Sequence, residues 1–116
     1  MEKKINLSEF QKILKVKQRT IYYTKHSLQR AAMRGFIKES EDRIPLFEKD
    51  IFENKPHLVV EQDSDIEDAR KFKVYYRAKK GFMAYVVSID GEIELITVYH
   101  TSKTLQEKIY KRRKGG

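Results

Sequence analysis

Residues 72–99, FKVYYRAKKGFMAYVVSIDGEIELITVY, carry the pattern that decides the fold. Within them, residues 72–77 alternate apolar and basic or aromatic side chains, which predicts a half-buried strand. Residues 82–89 are apolar on both faces, as in a central strand. Ala78-Lys79-Lys80-Gly81 and Asp90-Gly91 have the composition of hairpin turns, so we expect these strands to pair in an antiparallel order.

The last strand is predicted over residues 93–99, and a first strand is predicted over residues 57–60. Residues 61–68 are acidic and rich in turn formers, so we expect a loop there. Strict alternation divides the last strand into two faces, with Ile96 and Val98 on one and Leu95, Thr97 and Tyr99 on the other.

Helices are predicted in the first half of the chain. Residues 7–16 have an apolar stripe, and either Asn6 or Ser8 would cap this helix. Residues 21–23 predict a short strand or an extended segment. A further helix is expected to begin at Pro45, because proline suits the first helical turn.

The helix predicted over residues 25–34 has two distinct faces. Thr24 is its expected N-cap and Gly35 its expected stop. At 100° per residue, the small apolar side chains fall together, and a second face aligns His26, Arg30 and Arg34.

These elements predict an α+β fold, with N-terminal helices followed by a four-stranded antiparallel meander. The length of 116 residues fits one domain, which we place at residues 1–110. Residues 111–116 are predicted to form a basic, disordered tail.

The charge of the chain is divided into blocks. Residues 1–38 hold ten basic and two acidic residues, whereas residues 39–68 hold three basic and eleven acidic ones. With a net charge of +8, a polyanion is the expected partner. We expect a cytoplasmic protein, since the chain has no apolar run long enough for a membrane span and its first residues do not resemble a signal peptide.

Cysteine is absent, which excludes disulfides, a cysteine nucleophile and thiolate metal sites. The sequence contains no nucleotide-binding loop and no closely spaced histidine pair. We therefore expect neither a metal ion nor a small-molecule cofactor.

RNA cleavage without a metal ion requires a proton acceptor for the 2′-OH, cations for the phosphorane and a proton donor for the leaving oxygen. Histidine is suited to the proton transfers, and arginine to bidentate contacts with phosphate. His26 is therefore a candidate acid or base, Arg30 and Arg77 are candidate phosphate ligands, and Thr97 or Tyr99 is the candidate hydroxyl partner.

The chain carries three motifs: His26-Ser27-Leu28-Gln29-Arg30 with Arg34-Gly35-Phe36-Ile37, then Lys73-Val74-Tyr75-Tyr76-Arg77, and then Ile96-Thr97-Val98-Tyr99. Together these motifs resemble the family catalogued as domain of unknown function 4258. That family is grouped with small ribonuclease toxins of the barnase, colicin and RelE-like type. The resemblance implies a RelE/barnase-like fold and a site made of His26, Arg30, Arg34, Arg77, Thr97 and Tyr99.

We expect a metal-independent endoribonuclease, possibly toxin-like, that leaves a 2′,3′-cyclic phosphate and is covered by an acidic antitoxin-like protein. Alternatives are a nucleic-acid-binding module without catalysis and a protein-interaction domain. Predicted catalytic residues are His26, Arg30, Arg77, Thr97 and Tyr99. Predicted nucleic-acid-binding residues are Arg34, Lys73, Tyr75, Lys79, Lys80, His100, Lys111, Arg112 and Arg113.

Overall fold

A mixed β-sheet with helices packed on one face forms the fold. The computed structural model describes residues 2–16, 20–64, 69–79, 81–90 and 92–101. In chain order its elements are β1 (Lys3–Lys4), α1 (Leu7–Val16), β2 (Ile21–Tyr23), α2 (Lys25–Met33), α3 (Pro45–Glu53), β3 (Leu58–Gln62), β4 (Arg70–Arg77), β5 (Phe82–Ile89) and β6 (Ile93–His100).

The sheet has six strands among the described residues, in the order β1-β3-β4-β5-β6-β2. The α+β class is confirmed, and the four strands β3 to β6 pair in the predicted antiparallel order. The predicted sheet was too small, because β1 adds an antiparallel edge to β3 and β2 adds a parallel edge to β6. The segment predicted at residues 21–23 is strand β2, but its pairing with β6 depends on residues about seventy positions away. The two-residue β1 is too short to produce a periodic sequence pattern.

The predicted loop after β3 begins later than expected. Strand β3 runs to Gln62, and β4 begins at Arg70 rather than at Phe72. Charged side chains stabilise this extension, since the Arg70 guanidinium donates two hydrogen bonds of 2.8 Å to the Glu61 carboxylate. The ion pair links β3 to β4, so residues predicted to be solvated loop take part in the sheet. Residues 65–68 of that loop lie outside the described residues.

The helices cover one face of the sheet. Phe10 of α1, Ala31 of α2 and Phe47 of α3 are fully buried in one apolar cluster with the strand residues Phe72 and Tyr85. The Phe10 ring meets the Phe72 ring edge-on, with 5.3 Å between centroids, and Phe47 lies 4.9 Å from Tyr85. Asn6 is the cap of α1, since its Oδ1 accepts a 2.7 Å hydrogen bond from the Ser8 N–H.

The opposite face of the sheet, here called the second face, carries a smaller buried apolar cluster. Its buried members are Leu58, Val60, Tyr75 and Ala84. No residue of α1, α2 or α3 belongs to this cluster in the described part of the chain. The two faces of the sheet therefore have different roles, with the main core on the helical side.

A β-bulge in β6 corrects the alternation predicted for that strand. Val86 pairs with Thr97, but the next residue, Val87, pairs with Leu95, so Ile96 has no partner on β5. Leu95 and Val98 consequently both face the main core. The prediction that Leu95 shares a face with Thr97 and Tyr99 was wrong, because one inserted residue reverses the alternation that follows it.

A polar contact ties strand β2 to helix α3. The Tyr23 hydroxyl donates a 2.6 Å hydrogen bond to the Glu48 carboxylate, which also accepts hydrogen bonds from the Arg43 guanidinium. The Arg43 hydrogen bonds, with a smaller contribution from Tyr23, lower the pKa of Glu48. Glu48 is thus more stable as a carboxylate in the folded chain than in the unfolded one.

This shift predicts acid sensitivity. A lowered folded-state pKa contributes stability above the ordinary pKa of a glutamate, and that stability is lost as pH falls through the folded pKa. We expect the urea midpoint to fall between about pH 5 and pH 3. Glu48→Gln should flatten this dependence, whereas Glu53→Gln, on the exposed end of α3, should not. Equal slopes for both variants would contradict the assignment.

Candidate nucleic-acid interface

Both ends of α2 follow the predicted capping pattern. The Thr24 hydroxyl accepts a hydrogen bond from the Ser27 N–H at 3.0 Å. At the other end, Gly35 adopts φ +78°, a conformation that favours glycine, and the Gly35 and Phe36 N–H groups return to the Ala32 and Ala31 carbonyls. The helix therefore begins immediately after β2 and ends in a tight turn.

Helix α2 lies along the outer edge of β6. Strand β2 pairs with β6 only as far as Leu95, so the carbonyl groups beyond it need other donors. The Thr24 hydroxyl donates to the Ile96 carbonyl at 3.1 Å, and Arg34 Nη1 donates to the Val98 carbonyl at 2.9 Å. These contacts hold the two ends of α2 against the bulged part of the strand.

The predicted basic stripe of α2 lies on the flank of the helix next to β6. Ser27 and Ala31 are fully buried and define the inward face. Around the helix axis from this face come first Arg34, then Arg30 and then His26, each 40° further on. The Arg34 side chain reaches strand β6. His26 is exposed and Arg30 is half-buried. The structure therefore brings this stripe alongside the strand that carries Thr97 and Tyr99.

Thr97 and Tyr99 point to the second face, where they meet a lysine of β4. Thr97 and Lys73 lie on either side of Val86, and Tyr99 lies one row further along. The Lys73 ammonium is 5.9 Å from the centre of the Tyr99 ring, within the range of a cation–π contact. Both side chains are half-buried, so each keeps part of its surface in solvent.

Two other predicted strand residues differ in their accessibility. Tyr75 lies on the second face but is only 2% exposed, so it presents almost no ring surface to a base. Arg77 is exposed at the end of β4, where it pairs with Phe82. It is separated from β6 by one strand, a spacing of about 10 Å between the outer two strands.

The remaining predicted binding residues lie at the margin of this surface or outside the described residues. Lys79 is exposed in the β4–β5 turn. His100 is exposed at the end of β6, but it pairs with Met83 and alternates to the side opposite Tyr99. The predicted 111–116 tail lies outside the described residues, and so do four of the predicted binding residues: Lys80, Lys111, Arg112 and Arg113.

The five described arginines fall into three groups by partner. Arg43 and Arg70 are paired with the carboxylates of Glu48 and Glu61. Arg34 donates to a backbone carbonyl. In the described ranges, Arg30 and Arg77 have no ion pair or side-chain hydrogen bond. Among the described arginines, the two predicted to stabilise the phosphorane, Arg30 and Arg77, are therefore the two whose guanidinium donors remain available.

An exposed tyrosine was missed by the sequence analysis. Tyr22 is 48% exposed and is paired in register with Glu94 on the second face. Its neighbours Ile21 and Tyr23 pack against the main core, so Tyr22 must point away from it. Alternation within Ile21-Tyr22-Tyr23 was the available signal, but a three-residue segment does not show which of its faces is buried.

The described residues form neither a metal-binding cluster nor a membrane-spanning helix. No three histidine, aspartate or glutamate side chains of the described chain lie together as a metal-binding group. No helix within the described ranges is long and apolar enough to cross a bilayer. His57 is buried before β3, with its ring 4.6 Å from that of Phe82.

A scan of the sequence against protein-family models, a search of curated proteins and a search of solved structures each found no match. The resemblance drawn from the three sequence motifs therefore stays a prediction. The candidate interface stands on its own geometry, namely the stripe of α2, the edge of β6 and the second face of the sheet.

Thr24 has two hydrogen bonds that a single variant can test. Thr24→Ala removes the helix cap and the donor to Ile96, and we expect the free energy of unfolding to fall by about 1–2 kcal/mol. Thr24→Ser keeps both groups and should recover most of this loss. The measurement is urea unfolding followed by circular dichroism. A serine variant as unstable as the alanine variant would show that the hydroxyl is not responsible.

Proposed function

We propose that the protein is a metal-independent endoribonuclease that binds RNA along α2 and β6. The observation that carries the proposal is the state of Arg30 and Arg77. These two guanidinium groups have no carboxylate or carbonyl partner among the described residues, whereas Arg43 and Arg70 are neutralised by glutamates. An unpaired guanidinium at an accessible position is a natural phosphate ligand.

The charge of α2 also supports an anionic ligand. The segment from Lys25 to Arg34 carries four groups that are or can become cationic and no carboxylate. Glu39 and Glu41 line a groove on the opposite flank of the helix, beside Lys25 and Leu28. A phosphate chain would therefore meet more attraction on the flank next to β6 than on the other.

In the proposed reaction, the ribose 2′-oxygen attacks the adjacent phosphorus and the bond to the 5′-oxygen breaks. His26 accepts the 2′ proton or donates a proton to the leaving oxygen, and a water molecule makes the other proton transfer. Arg30 and Arg77 stabilise the additional negative charge of the phosphorane. The hydroxyl of Thr97 or Tyr99 orients the phosphate. The products are a 2′,3′-cyclic phosphate and a free 5′-hydroxyl.

We further propose that the fold is RelE/barnase-like and that the protein has a toxin-like role. The sequence motifs that resemble ribonuclease toxins support both parts of this proposal. An acidic antitoxin-like protein would then bind the same basic flank of α2 and exclude RNA from it.

A binding module without catalysis is the second candidate, and the exposure of His26 favours it. His26 has no hydrogen-bond partner in the described ranges to set its ring orientation, unlike a histidine positioned by a second group. A surface of this kind holds RNA through Arg30, Arg34 and Lys73 without cutting it. The two candidates make different predictions for one variant.

The experiment is incubation of the full chain with a mixed RNA pool in EDTA, followed by mapping of the new ends. We expect cleavage with cyclic phosphate ends, reduced about 10²- to 10⁴-fold in His26→Ala. Arg30→Ala should lower both cleavage and binding. Gln29→Ala, an exposed residue of α2 outside the stripe, is the matched control and should cleave as the wild type does.

Cleavage that survives in His26→Ala would overturn the role of His26. If no protein cleaves, but all of them bind RNA in a salt-dependent way, the ribonuclease proposal fails and the binding module remains. If Gln29→Ala loses as much activity as His26→Ala, the effect comes from α2 as a whole and not from the stripe.

A further inference from the structure

Tyr22 is the most exposed aromatic side chain in the described part of the chain. It stands on the second face at the edge of the sheet, next to β6, and its hydroxyl has no partner among the described residues. An accessible aromatic ring can stack on a nucleic-acid base. The ring also lies next to the strand that carries Thr97 and Tyr99.

We propose that Tyr22 and Tyr99 are two base-stacking positions for single-stranded RNA, on either side of the site formed by His26 and Thr97. The inference rests on the proposed function for the identity of the ligand. Both rings lie on the same face of the sheet, at its β2–β6 edge. Each keeps a solvent-accessible surface, unlike Tyr75 on the neighbouring strand.

The spacing of the two rings fits separate nucleotides. Tyr22 pairs with Glu94, and the β5 partners of Glu94 and Tyr99, Ser88 and Ala84, lie four residues apart, which is about 13 Å of strand. Thr97 lies between them. His26 follows Tyr22 by four residues, so the two Cα atoms are at most about 14 Å apart. An RNA strand stacked on both rings would pass the stripe of α2 between them.

The charges near each ring indicate that the RNA bases lie on the tyrosines and that the phosphates lie against the arginines. Glu94 is directly opposite Tyr22, and its carboxylate repels a phosphate there while it accepts hydrogen bonds from a base. The Lys73 ammonium is 5.9 Å from the centre of the Tyr99 ring and can hold a phosphate beside a base that stacks there. Arg30 and Arg34 supply the cationic flank between these positions.

Single-stranded RNA is the class that this arrangement selects. Bases in a duplex stack on each other and present only their edges, so they cannot lie on a tyrosine ring without strand separation. Stacking is tolerant of sequence, because every base has a π-face. The surface should therefore distinguish single strands from duplexes more strongly than it distinguishes one sequence from another.

Fluorescence anisotropy with labelled RNA tests the inference. The probes are an eight-nucleotide single strand, the matching duplex and an abasic strand of the same length. Every protein in the assay carries His26→Ala, which prevents cleavage of the probe. We expect Tyr22→Ala to weaken single-strand binding about fivefold or more, the lower limit for one stacked base. Tyr22→Phe, which keeps the ring, should bind within twofold of the parent, and Tyr99→Ala should resemble Tyr22→Ala.

Salt dependence separates stacking from phosphate binding. Tyr22→Ala should leave the slope of log affinity against log salt unchanged, whereas Arg30→Ala should reduce it by about one. Leu46→Ala is the matched control, because Leu46 is 40% exposed on α3, which packs on the helical side of the sheet. The control should bind every probe as the parent does.

Three results would overturn the inference: equal binding of the abasic and the base-bearing strand, Tyr22→Ala within twofold of the parent, or no single-strand binding at low salt. Failure of the ribonuclease proposal gives a different result. If the wild type does not cleave RNA but Tyr22→Ala still loses base-dependent binding, the stacking positions stand and catalysis does not. If the wild type cleaves RNA and the tyrosine variants bind it normally, the ribonuclease proposal stands and the stacking positions do not.

Discussion

The outer edge of β6 imposes the constraint on which the candidate site depends. Strand β2 stops pairing at Leu95, and a backbone carbonyl without a donor is costly when it is shielded from water. Thr24 and Arg34 supply the donors for Ile96 and Val98. Because these residues stand at the two ends of α2, satisfying the strand also fixes the helix, and with it the direction of the His26 stripe.

A β-bulge lies at the same part of β6. The register shift leaves Ile96 without a partner on β5 and directs Thr97 and Tyr99 to the second face. Without the extra residue, the alternation that buries Leu95 would place Thr97 in the core. The bulge therefore keeps both Leu95 and Val98 in the core while Thr97 and Tyr99 face the candidate interface.

Arginine illustrates how one residue type takes different roles in a small domain. Arg70 joins β3 to β4 through Glu61, and Arg43 joins the segment before α3 to Glu48. Arg34 holds a strand edge. Arg30 and Arg77 form no such contact with any residue that the structure describes. The identity of a residue is thus a weak guide to its function, and the partner that the fold provides for it is a much stronger one.

Local patterns determined much of the fold from the sequence alone. Thr24, Gly35 and Pro45 marked helix ends correctly, because caps and turns depend on residues that are adjacent in the chain. The alternation of Phe72, Val74 and Tyr76 identified the core face of β4. The alignment of His26, Arg30 and Arg34 followed from helical geometry and needed no knowledge of the rest of the molecule.

The tertiary structure decided the features that depend on contacts between distant segments of the chain. The parallel pairing of β2 with β6 joins residues about seventy positions apart, and no local pattern encodes it. The bulge at Ile96, the burial of Tyr75 and the exposure of Tyr22 follow from that pairing and from the packing of the two faces. The sequence by itself determined the helices, the central strands and the composition of a cationic stripe. Only the folded chain decided which strand the stripe lies beside, because hydrogen bonds at a sheet edge are formed between segments that the sequence keeps apart.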